Sequence, residues 1–216
     1  ADFWPSPAEP FKRTNLLLHL LTGLCLCWAT LNLLRLYGVA EARACWAAVL
    51  NMAFWLLHPY MVSTTLYIVQ RMAQLATLFI FAGLAGYLYG RLILSRHKIK
   101  GYLWMSCSLA CGTILAAFSK ENGVLLPLLV LVIEWCRPPS NSVAQCHHAP
   151  FFSIQPDWRW RAVFLWFPSL AILIQLGLKI NLSPNAWPTR PFNQVERLLT
   201  EPRILWEYLY HLYVPR

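Results

Sequence analysis

Long apolar runs separated by short polar connections make up most of the chain. They cover 14–36, 44–57, 66–94, 101–118, 123–136 and 162–180, and a helix needs about 20 mostly apolar residues to cross a ~30 Å hydrocarbon core. The pattern predicts about six crossings, with a seventh helix beginning near Leu198. Two runs, those ending at Leu57 and Cys136, sit near the lower length limit and are kept as spans because each connects its neighbours in alternation. The predicted fold is all-α, a polytopic membrane helix bundle of about six to seven transmembrane helices.

Composition agrees with that solvent. Of 216 residues 58% are hydrophobic, only 12% are charged and eleven are tryptophan, well outside the balance of a soluble domain. The lipid bilayer is therefore the first expected partner. The opening "ADFWPSPAEPF" has no basic region followed by an apolar core, so it does not read as a signal peptide. The chain begins without methionine and stops on "YLYHLYVPR" as another helix starts. Residues 1–216 thus read as one transmembrane domain, a fragment of a longer protein whose upstream and downstream regions are missing.

Orientation comes from the loops. "SRHKIKG" is short and the densest basic connection, which the positive-inside rule assigns to the cytoplasm. Alternation then puts loops 37–43 and 137–161 on the same side, and "HPYMVSTT", "SKENG" and "SPNAWPTRPFNQVERLLTEPR" outside. Lys12, Arg13, Arg71, Lys120, Arg190, Arg197 and Arg203 fall on the outer side, which brings the Lys and Arg count close to a tie between the two sides, and cations where the rule does not expect them call for an anionic partner.

Polar residues inside the runs narrow the choice. Tyr67, Gln70, Arg71 and Gln74 are spaced to share one helical face, with Arg71 well inside a continuous helix. Asn15, His19 and Thr22 repeat the spacing in the first run, and Asn51 precedes His58 by two turns in the second. Such stripes also serve as helix–helix contacts worth only about 0.6 kcal/mol each, and His58 before Pro59 marks a helix end. Lys120, Glu121 and Asn122, in "FSKENGVLLPLLVLV", make either a wet turn or a working site.

The net charge of +9 is spread over separate loops with no basic stripe or binding module, so nucleic acid is not expected. Of the seven cysteines, Cys25, Cys27, Cys107, Cys111 and Cys136 lie in or beside apolar runs, where a thiol behaves as a small apolar group. Cys146, His147 and His148 have no second ligand pair at a zinc-like spacing. No cofactor is assigned, and no residue pattern supports a divalent metal.

Four blocks carry a resemblance: "PFKRTNLLLHLLTGL", "FWLLHPYMVSTTLYIVQRMAQLATLF", "FSKENGVLLPLLVLVIEW" and "ERLLTEPRILWEYL". In order and rough spacing the chain resembles a bacterial membrane family related to the transmembrane and tetratricopeptide-repeat O-mannosyltransferases, of the GT-C glycosyltransferase class. The resemblance implies a GT-C-like enzyme of the bacterial cytoplasmic (inner) membrane. It would move a sugar from a polyprenyl-phosphate donor to a protein or glycan acceptor on the extracytoplasmic face. Arg71 and Lys120 would bind the donor phosphate, since guanidinium and ammonium groups stabilise a phosphate leaving group. His58, Tyr67, Gln70, Gln74, Glu121, Asn122, His19 and Asn15 would line the cavity, with Glu121 holding Lys120 or another cation in place.

The departures are as informative. The family's acid sits in a first outward loop that would precede this chain, and the only aspartates are Asp2 and Asp157, the latter in a loop placed inside. No catalytic residue is assigned, and no 34-residue repeat period appears. A lipid-linked sugar flippase or transporter and a noncatalytic membrane scaffold remain the alternatives. Two arrangements are expected in the fold. His58, Arg71 and Lys120 should gather near one outward cavity, and "LSPNAWPTRPFNQVERLLTEPR" should form an ordered outer loop with Trp187 and Arg190 at headgroup level.

Overall fold

The computed structural model describes residues 8–59, 61, 65, 67, 70–136, 155–179 and 194–213. Among these no strand occurs. Helix α1 (Ala8–Leu36) is followed by α2 (Glu41–Leu57), α3 (Arg71–Leu94) and α4 (Lys98–Ser119). A 3₁₀ turn over Glu121–Leu125 then leads into α5 (Leu126–Trp135). Helix α6 (Trp158–Arg161) passes through a π-helical turn over Ala162–Trp166 into α7 (Phe167–Lys179), and α8 spans Gln194–Tyr213.

Four helical stretches are long and apolar enough to cross a membrane: Glu9–Leu36, Arg71–Leu94, Lys98–Ser119 and Trp158–Leu178. With 17 residues α2 is about 25 Å long, and α5 with 10 is about 15 Å, so both fall short of a ~30 Å core on their own. The exposure pattern suits a hydrocarbon surrounding. Asn15, Asn32 and Arg91 are buried, whereas Phe118 is 88% exposed and Leu17 61%, the reverse of the ordinary sorting in water.

The chain divides into two compact units, Ala1–Ser169 and Leu170–Arg216. In the first, α3 is the central helix, packed on α1 along one side and on α4 along the other. The α3–α4 contact depends on small residues. Gly83, Gly86 and Gly90 recur along one face of α3 and meet Gly112, Ser108 and Met105 of α4. A Cβ added at Gly83 would stand 3.1 Å from the Gly112 Cα, and one at Gly90 would stand 2.9 Å from the Met105 nitrogen. Close backbone approach of this kind lets dispersion hold helices together where lipid removes the hydrophobic drive. Around the seam Ala85, Leu88, Met105, Leu109, Leu126, Val130 and Leu165 close an apolar core.

Each turn has a local cause. Helix α1 stops at Gly38, whose φ of 74° a side chain would disfavour. Its N–H bonds the Arg35 carbonyl while the Val39 N–H reaches back to Leu34, the paired bonds of a Schellman ending. An ion pair from Arg35 to Glu41 then joins α1 to α2. Helix α2 ends before His58, which is extended as expected of a residue preceding proline. After α4, Gly123 packs against Ala116 so closely that a Cβ would overlap the Ala116 carbonyl, and α5 starts with a proline in its first turn.

The second unit holds α8, which contains Glu196, Glu201, Arg203 and Glu207, with Pro202 inside it. The helix expected to begin near Leu198 is present and starts at Gln194, which shortens the loop expected over 182–203. Leu199, Pro202, Trp206 and Leu209 recur at helical spacing within it, and an amphipathic repeat favours helix over loop. Trp187 and Arg190 lie outside the described residues.

The seam gives a direct test. Gly112→Leu should destabilise the first unit by about 1–3 kcal/mol, the usual cost of forcing volume into a packed contact. Exposed Gly177, with open space around its Cα, should accept alanine without loss. Thermal or denaturant unfolding of the purified protein in detergent measures both.

Candidate functional site

The polar stripe of α1 faces α2 and α3 at one end of the first unit. Asn15 is fully buried and uses both ends of its amide. Its Nδ2 donates to the carbonyls of Thr65 at 3.2 Å and Tyr67 at 3.3 Å, and its Oδ1 accepts from Arg71 Nε at 3.0 Å. Arg71 Nη2 donates to the Phe11 carbonyl at 3.3 Å, and the guanidinium carbon lies 5.3 Å from the Phe11 ring centroid. One turn further along α1, His19 Nε2 donates to the Leu56 carbonyl at 3.2 Å. Because that acceptor has no proton, the ring proton belongs on Nε2. The His19 ring stacks on Trp55 at 4.6 Å.

Arg71 departs from the sequence expectation. It is the first residue of α3 and not an interior one. Tyr67 is exposed and nonhelical, and Gln70, also exposed, is 3₁₀ and bonds its N–H to the Tyr67 carbonyl at 3.1 Å. The four residues therefore do not form one α-helical stripe. At this entry the Tyr67 carbonyl accepts both the Gln70 N–H and the Asn15 amide, the two bonds a carbonyl can take, whereas a continuous α-helix would need it for the Arg71 N–H. Arg71 consequently combines two positive sources, its own guanidinium and the N-terminal end of a 24-residue helix. A cation in a first turn is disfavoured by about 0.3–1 kcal/mol, whereas an anion there is favoured. Among the described residues no carboxylate forms an ion pair with Arg71.

Beside it, a cavity of about 210 Å³ is lined by His19, Thr22, Trp55, Met61, Ala73, Gln74 and Thr77. The Thr22 and Thr77 hydroxyls bond the carbonyls of Leu18 and Ala73 in their own helices, and His19 and Gln74 complete its polar lining. The space is smaller than the roughly 300–1,000 Å³ of pockets that enclose a small molecule. His58 is buried with its ring edge-on to Phe54 at 5.3 Å. Asn51 serves α1–α2 packing instead, donating to the Thr30 hydroxyl at 2.9 Å.

Lys120, Glu121 and Asn122 are exposed on the turn between α4 and α5. Among the described residues no hydrogen bond or ion pair joins them to Arg71, Asn15 or His19. They nevertheless share an end with Arg71. Measured from the Gly83–Gly112 crossing, Arg71 lies twelve residues away along α3 and Lys120 eight along α4, about 18 Å and 12 Å in the same direction for antiparallel helices.

A second polar centre lies near the opposite end of α3. Arg91 and Glu134, with side-chain exposures of 0% and 6%, pair through Nε and Oε1 at 2.8 Å. Tyr87 also donates to Glu134 Oε1 at 2.8 Å. Tyr87 stacks on Trp160, whose Nε1 donates to Ser106 Oγ at 2.9 Å, and the Asp157 N–H donates to Tyr102 Oη at 2.8 Å. Sequence reasoning passed over this centre. Its signal was a single charge inside each of two apolar runs, "YLYGRLIL" and "VLVIEW", which normally requires a partner. Asp157 lies at this end, beside the start of α4, as the loop assignment expects.

Among the described residues no three His, Cys, Asp or Glu side chains converge as metal ligands. Cys146, His147 and His148 lie outside those residues. Comparison with protein-family models, curated proteins and solved structures gives no significant match.

The buried pair has a measurable signature. Arg91→Met or Glu134→Leu alone should cost about 3–5 kcal/mol, because either strands a buried charge or polar cluster. The combined Arg91→Met, Glu134→Leu variant should recover most of that loss. A double-mutant cycle on detergent unfolding reads the coupling directly.

Proposed function

We propose that this chain is the membrane part of a GT-C-like glycosyltransferase that takes a sugar from a polyprenyl-phosphate carrier and passes it to a protein or glycan acceptor. The setting proposed is the extracytoplasmic face of the bacterial inner membrane, in a multi-pass protein. One observation carries the reading: Arg71 stands at the positive end of α3, and its partners among the described residues are the neutral acceptors Asn15 Oδ1 and the Phe11 carbonyl. A phosphate-bearing donor would supply the missing negative charge. The four sequence blocks that resemble the O-mannosyltransferases support the same chemistry from a separate direction.

In such a transfer the bond between the anomeric carbon and the phosphate oxygen breaks, and its electron pair stays on the phosphate. Negative charge therefore grows on the leaving group, and a guanidinium already fixed in place stabilises it without reorganising. Asn15 would act as the positioning residue, since its amide sets both the α3 start and the Arg71 side chain. Lys120, exposed at the same end, would supply a second cation to the phosphate. The 210 Å³ cavity is too small for the whole donor, so the lipid would lie outside the bundle with its phosphate at the α3 terminus. No group for the acceptor's proton is assigned.

Arg71→Met in the full-length enzyme should lower sugar transfer by about 10²–10³-fold, the effect of one preorganised contact to developing charge. Lys120→Met should lower it too, and the double change should cost less than the sum if both grip one phosphate. Membrane insertion should stay normal. Full turnover by both single variants on a polyprenyl-phosphate sugar would overturn the proposal. Movement of labelled lipid across vesicles without transfer would favour a flippase, and neither activity would leave a scaffold.

A further inference from the structure

A second cavity lies at the other end of the first unit, where the α1–α2 and α3–α4 connections meet. It measures about 720 Å³, and its rim carries Arg35, Arg96, His97 and Lys100 against a single carboxylate, Glu41. Glu41 is already committed to Arg35, with Arg35 Nε donating to Oε2 at 3.0 Å. Arg96, His97 and Lys100 are exposed, and among the described residues none of them forms an ion pair. The start of α4 adds to the positive field: its first turn has no acid, its N-cap His97 makes no side-chain cap bond, and Lys98 and Lys100 lie within it. Cations at a helix N-terminus are adverse unless an anion joins them.

Below the cations lies an aromatic tier. Tyr89 lines the cavity and meets Trp28 at 6.0 Å and Trp104 edge-on at 5.5 Å. Trp28 precedes Arg35, in the last turn of α1, by seven residues; Tyr89 precedes Arg96, two residues past the end of α3, by seven; and Trp104 follows Lys100 by four. Along the helix axes these backbone positions lie one to two turns inward of the cations, about 6–10 Å, the order in which tryptophan and tyrosine line a membrane–water interface. From Trp28 the exposed residues Leu24, Leu21 and Leu17 continue along α1 at helical spacing. Cations, then rings, then an open apolar stripe match the order of headgroup, glycerol and acyl chain in a lipid.

We infer that this cavity binds the phosphate headgroup of an anionic phospholipid, with Arg96, Lys100 and Arg35 around the phosphate and an acyl chain along the α1 stripe. The site is separate from Arg71 and independent of any transfer activity. A soluble phosphate would satisfy the cations but leave the aromatic tier and stripe without a role, which is why the lipid is the occupant assigned.

The test uses the purified full chain in phosphatidylcholine nanodiscs containing increasing phosphatidylglycerol, with lipid retention read by native mass spectrometry and stability by thermal shift. Phosphatidylglycerol should be retained and raise Tm; phosphatidylcholine alone should not. Arg96→Gln with Lys100→Gln should weaken retention roughly 25-fold, at about fivefold per surface cation. Both residues are exposed, so the fold should survive. Arg43→Gln, an exposed cation outside the cavity lining, should leave retention unchanged. Equal weakening by Arg43→Gln would mean diffuse charge attraction and overturn the site, as would wild-type retention by the double variant. An equal thermal shift from inorganic phosphate alone would replace the lipid with a soluble anion.

Discussion

The close approach of α3 and α4 sets the register on which the polar contacts at the two ends of α3 depend. Their glycine seam brings the helices near enough for Gly83 and Gly112 to meet through backbone atoms, and nothing bulkier would keep that register. The register in turn sets where α3 begins and ends relative to its neighbours. Its start meets α1 at Asn15, and its far turns carry Arg91 to Glu134 on α5. A helix pair separated by larger side chains would shift both ends, and neither the guanidinium–amide contact nor the buried ion pair tolerates a displacement of more than a few tenths of an ångström.

The two ends of α3 solve the same problem differently. At Arg91 the charge is neutralised inside the protein by a carboxylate, a phenol completes the cluster, and stacked rings surround it. That arrangement is closed. At Arg71 the partners are an amide oxygen, a backbone carbonyl and a ring face, which satisfy hydrogen-bonding geometry but leave a net charge next to a helix dipole of the same sign. Burial therefore makes Arg91 a structural cation, while Arg71 retains the capacity to attract an anion.

Much of this was legible from spacing alone, and the failures share one cause. Apolar run lengths located α1, α3, α4 and the Trp158–Leu178 stretch because membrane helices are constrained by core thickness. The offsets of Asn15, His19 and Thr22 correctly predicted one inward face on α1. The same rule misassigned Tyr67 and Gln70, since periodicity assumes a continuous helix and cannot register that a side chain on another helix bonds the carbonyl it needs. Glu134 was overlooked because hydropathy averages one charge away over a long run, although the cost of an unpaired charge there is large. The helix expected near Leu198 is present but begins at Gln194, and the loop drawn to Arg203 overran it because Pro202 was read as a loop residue, while the apolar repeat pointed to a helix.

Charge placement across the unit then follows from solvent rather than from count. Arg96 and Lys100 stand in the open beside aromatic rings, where a phosphate-rich headgroup layer would compensate them, while Arg35 is already paired with Glu41. Cations at the Arg71 end are fewer and one of them is held rigidly, so diffuse attraction to headgroups would gain little from that fixation. Fixing a long side chain costs side-chain entropy. The Asn15 contact that imposes this cost also interrupts the entry to α3, so two unfavourable features occur at one place. They are mutually explained if the position of the guanidinium, rather than its charge alone, is what the bundle is built to control.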